Sequence, residues 1–420
     1  MGGKGAVLLV ALLVAASDLA AILSCSAAAN LYATALPMKP KASPPPQIDA
    51  GHGVGAYLPL QGNVYPQGKF YVQISFGNSQ NFYSLDIDTG SDVPWVQCEV
   101  PPQAVYPRPP MDKLIPCDDP RCRALHASAG ARPCKSPERC DFLVQYVDDS
   151  AEGVLIADTL TLRLTNGSIV HPLVAFGCGR WRNDKDRATT DGMLGLGSGE
   201  ISILSQLSSQ GVFGKLVAHC LGSRGGGFFF MGDDMLPSGK VTWAPMTRSF
   251  HYSPGPASLF WGNQPLGSNL MVLLDSGTTY TYFGLQPYNN FISTLNGHVS
   301  KQPLTRAYDD HWLPYCWRGP RPFSSIADAQ GYFKQLELRF ADGAASMKIP
   351  PANYLIISEH HNACLGILNG TEEGLQSNIN LIGDISMLDL LVVYDNDKQR
   401  IGWASADCSR AFKSATYPLE

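Results

Sequence analysis

The chain is 420 residues long, enough for two ordinary domains with sizeable cores. Apolar residues make up 45% of it, which excludes a disordered chain, and charged residues only 16%, against roughly 25% in an average soluble domain. The net charge of −5, without any run of Lys or Arg, excludes a basic surface for nucleic acid.

In chain order, residues 1–29 read as a secretory signal peptide. Lys4 supplies the positive start, Ala6 to Ala16 an apolar run, and Ala27, Ala28 and Ala29 the small cleavage-site residues. Asp18 interrupts the apolar stretch, which argues against a membrane span, and the polar C-terminus argues against a lipid anchor. Residues 30–56, with Pro44-Pro45-Pro46 at their centre and no periodic apolar pattern, read as a leader or short pro-segment.

From Lys69 the texture changes. Phe70 to Phe76 alternates apolar and polar residues and is rich in β-branched and aromatic types, as a half-buried strand requires. Similar strands are expected at Phe82–Ile87, Phe142–Val147, Gly153–Leu164, Val170–Phe176, Gly227–Met231, Leu270–Leu274 and Leu390–Tyr394. Helical patterns are few: Ser202–Leu207, Gln286–Leu295 and Ala327–Leu336. Together with 41 Gly and 31 Pro, this predicts a mostly β chain with a few short helices.

The sequence also echoes itself. An apolar strand runs into Asp88-Thr89-Gly90-Ser91, and another into Asp275-Ser276-Gly277-Thr278; each is followed downstream by two apolar residues and Gly, at Met193-Leu194-Gly195 and Leu381-Ile382-Gly383. Two copies of one plan predict two similar lobes, 57–245 and 246–412, followed by a tail at 413–420.

One Asp at a Gly-containing turn is ordinary, because it bonds its own backbone. Two copies in corresponding places can bring two carboxyl groups together where lobes meet. Such carboxyls cannot both ionise easily, so they share a proton. The ionised one takes a proton from a bound water; the protonated one donates to a substrate carbonyl oxygen. Neither cofactor nor metal is needed for this chemistry. The competing motifs are weaker. Asp86-Ile-Asp88-Thr89 resembles a phosphatase Asp-x-Asp, but the strand–helix alternation that fold needs is missing. Gly195–Gly199 is not a serine-hydrolase elbow, and Gly225-Gly-Gly227 lacks the Lys of a phosphate loop. Asp233-Asp234 and Asp309-Asp310 read as solvated turns, and Tyr280, Tyr282 and Phe283 as packing residues.

The paired Asp-Thr/Ser-Gly-Ser/Thr loops resemble the two active-site loops of pepsin-like aspartic proteases. The likeness extends through Trp95 and both apolar-apolar-Gly segments, from about Gly62 to Cys408. It is greatest for the plant nucellin-like branch, on Gln61–Tyr65, Phe176–Gly179, Asp191–Gly197, Gly226–Phe228, Ile382-Gly-Asp384 and Val393–Asn396. The resemblance implies a bilobal fold of two pseudo-two-fold-related β lobes with a cleft between them, and Asp88 and Asp275 as catalytic residues. Thr89, Gly90, Ser91, Ser276, Gly277 and Thr278 would support them, Ser91 and Thr278 through hydroxyl bonds to the carboxylates. Tyr146 would sit on a flap hairpin over the substrate. Implied partners are protein or peptide substrates cut in acid, met as a monomer with no stable membrane anchor, in the extracellular space or vacuole. The rival implication is a catalytically silent, xylanase-inhibitor-like binding protein on the same fold.

Cys25 would leave with the signal, and an even ten cysteines in an exported chain suggest disulfides. Zinc is the competitor for Cys117, Cys122, Cys134 and Cys140, but their spacing does not fit the usual pairs. Connectivity stays open; Cys316–Cys364 and a small Cys117–Cys122 loop are the expected bridges. Asn166 and Asn369 stand in glycosylation acceptor triplets.

Overall fold

The computed structural model describes residues 53–409, apart from 78–80, 99–105, 129–133, 147–148, 183–189, 238–240, 248–250 and 341–342. The expected signal peptide, the leader up to residue 52 and the tail at 413–420 lie outside the described residues.

In the first half the elements are β1 (Ala56–Asn63), β2 (Lys69–Phe76), β3 (Tyr83–Asp88), β4 (Trp95–Gln97), α1 (Pro120–Ser128), β5 (Asp141–Gln145), β6 (Ser150–Arg163), β7 (Ile169–Val170), β8 (Leu173–Trp181), β9 (Gly192–Gly195), α2 (Ile203–Ser209), β10 (Leu216–Leu221), β11 (Gly227–Met231) and β12 (Thr242–Pro245). The second half continues with β13 (Pro256–Trp261), β14 (Gln264–Leu274), β15 (Thr281–Phe283), α3 (Leu285–Val299), β16 (Thr305–Ala307), β17 (Cys316–Arg318), α4 (Ile326–Ala329), β18 (Leu336–Phe340), β19 (Ala345–Ile349), β20 (Leu355–Ile357), β21 (Ala363–Leu365), β22 (Ile367–Asn369), β23 (Ile379–Ile382), β24 (Leu390–Asp395) and β25 (Arg400–Ser405).

The chain is mostly β, in the bilobal pepsin-like arrangement. The alternation in β2 buries Phe70, Val72, Ile74 and Phe76, and Phe76 stacks on Phe176 of β8 with ring centroids 4.2 Å apart. Each such side chain removed from water stabilises the fold by about 1.5–3 kcal/mol. In α3, Tyr288, Phe291, Ile292, Leu295 and Val299 recur at helical spacing and face the core. In α2, Ser202 is the N-cap, its hydroxyl accepting from the Ser205 N–H.

The sequence echo becomes a repeated topology. β3 runs parallel to β9, pairing Asp88 with Gly195; β9 also pairs antiparallel with β4, and β4 parallel with β8. In the second half β14 runs parallel to β23, β23 antiparallel to β15, and β15 parallel to β22. Four strands therefore follow the same pairing plan twice, each time with an Asp loop leaving the first of them. The lobes are also joined by strands: β24, late in the chain, pairs with β10 of the first half, and β25 pairs with β12.

Two expected elements differ. The pattern at Ala327–Leu336 yields only the one-turn α4 and a 3₁₀ turn at Gln330–Tyr332, and Leu336 opens β18. Gly331, costly inside a helix, falls in the middle of the expected span. The strand expected at Val170–Phe176 divides into β7 and β8 around His171-Pro172, because Pro has no N–H for a ladder. Helix α1 has no apolar periodicity in the sequence to announce it.

Among the described residues, five disulfides join Cys98–Cys178, Cys117–Cys134, Cys122–Cys140, Cys220–Cys408 and Cys316–Cys364. The Cys117–Cys122 loop is thereby corrected. Cys117 precedes α1 and meets Cys134, whereas Cys122 lies within the helix, fully buried against Cys140.

Candidate active site

Asp88 ends β3 and Asp275 follows β14, so both carboxyls emerge from paired strand ends held by the parallel partners β9 and β23. Each loop then turns back on its own carboxylate. The Gly90 N–H donates to Asp88 Oδ1 at 2.8 Å, and the Ser91 hydroxyl donates to Asp88 Oδ2. In the second loop the Gly277 N–H donates to Asp275 Oδ1 at 2.9 Å and the Thr278 hydroxyl to Oδ2 at 2.7 Å.

The two loops also lock onto each other. Thr89 Oγ1 donates to the Leu274 carbonyl at 3.3 Å and accepts from the Ser276 N–H at 2.9 Å. Reciprocally, Ser276 Oγ donates to the Ile87 carbonyl at 3.0 Å and accepts from the Thr89 N–H at 3.2 Å. Thr89 and Ser276 are buried, so these four bonds are shielded from water. The lock brings the carboxyls into hydrogen-bonding contact. It also explains the glycines: a Cβ on Gly90 would stand 2.7–2.8 Å from the atoms of the Asp275 carboxyl, and one on Gly277 would collide with Asp88.

Burial raises the pKa of Asp88 well above the usual carboxylate range, and the adjacent Asp275 charge raises it further; the Ser91 and Gly90 bonds oppose both. The pair therefore holds one proton where isolated carboxylates would have lost theirs. Asp384, which follows β23, is fully buried near both, and its pKa is likewise raised by burial and then by the Asp275 charge.

Tyr146 closes the β5–β6 hairpin, its N–H bonded to the Asp149 carbonyl. Its hydroxyl accepts from Trp95 Nε1 at 2.9 Å and lies near Ser91, close enough to feel the Asp88 charge. Trp181 packs against both rings, 5.1 Å from Tyr146 and 4.8 Å from Trp95. The hairpin is thus tied to the loop that carries Asp88.

All nine expected loop and flap residues gather here; the cysteines and the two glycosylation candidates lie elsewhere. Asn166 is exposed at the β6–β7 turn, while Asn369 is only 6% exposed and its amide donates to Glu372. Among the described residues, two groupings bring metal-ligand atom types together, Cys122, His126, Cys134 and Cys140, and Asp310 with Cys316 and Cys364. Every cysteine in them is disulfide-bonded, which leaves no thiolate to take a metal.

Sequence reasoning assigned no role to three further groups. Asp384 was visible only as part of a motif. Tyr394, fully buried in β24, lies beside Thr89 of the lock. Its hydroxyl also lies 3.2 Å from Nε2 of His219, a buried imidazole whose pKa desolvation pushes down to about 3. No local pattern marks such contacts.

Among family profiles, the xylanase inhibitor N-terminal domain matches residues 70–233 and the xylanase inhibitor C-terminal domain residues 263–405. An aspartic proteinase of Oryza sativa subsp. japonica is 40% identical over 380 residues, covering 85% of this chain and 92% of that protein. The chain belongs to the plant pepsin-like aspartic protease family. Two further members are more distant: aspartic proteinase 39 of Arabidopsis thaliana is 29% identical, covering 85% of this chain and 78% of that one, and the aspartic proteinase nepenthesin-1 of Nepenthes gracilis 26% identical, covering 83% and 80%. Among solved structures, basic 7S globulin from soybean superposes with a TM-score of 0.67 at 17% identity, covering 86% of this chain and 99% of that one. The aspartic proteinase from Irpex lacteus gives 0.62 at 16% identity, covering 87% and 100%. These two likenesses concern the fold alone. As a member of the pepsin-like aspartic protease family, the chain is an aspartic-type peptidase.

Proposed function

We propose that Asp88 and Asp275 are the catalytic pair of an endopeptidase that cuts protein substrates in acid. The observation that carries this reading is the interlocked pair of loops, which holds two carboxyl groups in contact and keeps one of them protonated. The ionised member deprotonates a water held between them, and the protonated member donates to the scissile carbonyl oxygen as the water attacks. The resulting gem-diol collapses with proton delivery to the departing amine. Ser91 and Thr278 hold the carboxylates in place, and Tyr146 covers an extended substrate from the flap hairpin. The lobes are 57–245 and 246–412. Residues 1–29 direct export, the enzyme works as a monomer of the nucellin-like branch, and its compartment is the extracellular space or the vacuole. Asn166 is the glycosylation site that the folded chain presents.

A second reading has one observation in its favour: both matching profiles are named for xylanase inhibitors. On that reading the fold binds another protein and the Asp pair does no chemistry. Both Asp residues, both Gly residues and all four lock bonds are present, which favours the enzyme. Digestion of a denatured protein between pH 2.5 and 8, with and without pepstatin, decides between them. The enzyme gives acid-optimal, pepstatin-sensitive cleavage; correctly folded, leader-free protein that cuts nothing supports the binding protein.

A further inference from the structure

The β5–β6 hairpin carries Tyr146 at one end and a concentration of charge at the other. Asp141 opens β5 five residues before Tyr146, about 17 Å away along an extended strand. There a cavity of about 130 Å³ is lined by Lys135, Arg139, Asp141, Glu152 and Arg180. An ordered water needs only about 10–15 Å³, so the space admits a larger polar ligand. Arg180 Nη2 lies 3.6 Å from Glu152 Oε1, and Arg182 adds a fourth cation, its Nε 3.6 Å from Oε2 of the same carboxylate. Arg139 Nη2 lies 3.5 Å from Asp141 Oδ1. All three contacts exceed the roughly 2.7–2.9 Å of a charge-assisted hydrogen bond. Arg139 Nε is buried with no hydrogen-bond partner among the described residues, yet the side chain is 40% exposed and lines the cavity. A guanidinium so loosely held at a cavity wall points to a missing acceptor.

The walls are held in advance. Cys134, just before Lys135, is bonded to Cys117, and Cys140, just after Arg139, to Cys122. Between them the Pro137 carbonyl accepts from the Cys117 N–H at 3.1 Å. Asp141 is buried, and its Oδ2 accepts from the Lys135 N–H at 2.6 Å, so this carboxylate braces the loop. Glu152 of β6 and Arg180 of β8 face each other across the sheet. Such preorganisation lowers the cost of taking a ligand. We infer that this cavity binds a tetrahedral oxyanion, sulfate or phosphate, as the free ion or as a monoester on a peptide. Four cations stand against two carboxylates here, on a chain whose net charge is −5, and a dianion balances the local excess. Its several oxygens accept from donors that converge from the loop before β5 and from β8, a geometry that suits the planar guanidinium. A divalent metal ion, drawn by the two carboxylates, would instead meet four positive side chains.

Isothermal titration calorimetry of the full leader-free protein with sodium sulfate, at pH 6 and an ionic strength fixed with sodium chloride, tests the site. One sulfate binds with a Kd of about 1 mM or tighter. Arg139→Gln and Arg180→Gln each weaken it at least about tenfold, the size of one hydrogen bond to a charged group. Arg163→Gln, which removes an exposed cation elsewhere on β6, leaves the Kd within about twofold, because distant charges are screened. Labelled peptides carrying sulfotyrosine or phosphoserine, compared with their unmodified forms by fluorescence anisotropy with pepstatin present, separate the two sources. A modified peptide that binds at least about tenfold tighter than sulfate assigns the site to a monoester, and equal or weaker binding assigns it to the free ion; both outcomes keep the site. No binding of sulfate or phosphate up to about 20 mM overturns the proposal. So does sulfate binding that survives both Arg139→Gln and Arg180→Gln, or binding of calcium where sulfate does not bind. If Arg139→Gln does not fold, Arg180→Gln and Arg182→Gln, whose side chains are half exposed, decide.

Discussion

The interlock between the two Asp loops can be tested by Thr89→Val, which keeps the side-chain shape and removes only the hydroxyl. Thr89 Oγ1 serves both the Leu274 carbonyl and the Ser276 N–H in a buried setting. Losing it strips one partner from each of two buried backbone groups, at about 1–3 kcal/mol apiece, so a loss of about 2–5 kcal/mol is expected after some relaxation. Ser276→Ala removes the two reciprocal bonds, to the Ile87 carbonyl and the Thr89 N–H, and has a similar effect. Because both hydroxyls pin one crossing, the double variant loses less than the sum, with a coupling of about 1–3 kcal/mol. Urea unfolding followed by tryptophan fluorescence at pH 5 measures the stabilities. The same proteins assayed on a peptide lose kcat by about 100-fold, as expected when reacting groups drift by an ångström. A Thr89→Val protein within 0.5 kcal/mol of wild type (a margin of roughly the usual surface substitution), or strictly additive variants, would refute the idea that the loops hold each other.

Gly90→Ala places a methyl group 2.7–2.8 Å from the Asp275 carboxyl and forces the loops apart, so activity falls at least about 100-fold while far-UV circular dichroism is kept. Asp86 has a folded pKa of about 6, raised from 3.8, so its contribution to stability is full below pH 4 and is lost as pH rises through 6. That loss is roughly 3 kcal/mol between pH 4 and pH 7, and Asp86→Asn shows a correspondingly flatter pH dependence of the urea midpoint; an unchanged slope contradicts the assignment. The buried Asp384 adds a loss of the same sign. Replacing both Cys220 and Cys408 by Ala opens a 188-residue separation between first-half strand β10 and the chain's last described segment, and lowers stability by about 2–5 kcal/mol in thermal or urea unfolding.

The strands were most legible where β-branched and aromatic residues cluster. β2 and Gly227–Met231 announce themselves by composition, whereas Ala327–Leu336 misleads because a short helical pattern cannot outvote Gly331 and the alternation that starts at Leu336. α1 left no signal, since its buried contacts come down to Cys122 and Leu125 and its anchorage is the Cys122–Cys140 bond. Cysteine pairing was illegible for a related reason: four cysteines allow three connectivities, and only the position of α1 separates Cys117 from Cys122. The two Asp loops could be read because the chain states the plan twice. Asp86, Asp384, His219 and Tyr394 could not, because their surroundings arise from residues far away in sequence: His219 and Tyr394 touch across 175 positions, and Asp86 and Thr190 across 104.

If two carboxyl groups act as one device, the most direct measurement is the turnover of one quenched peptide at pH 4 by wild type, Asp88→Asn and Asp275→Asn. Each variant is expected to keep the wild-type fold by circular dichroism and to lose kcat by about 1,000-fold or more, because neither carboxyl can both activate the water and protonate the carbonyl oxygen. A folded variant of either Asp that retains turnover within about tenfold of wild type would contradict it.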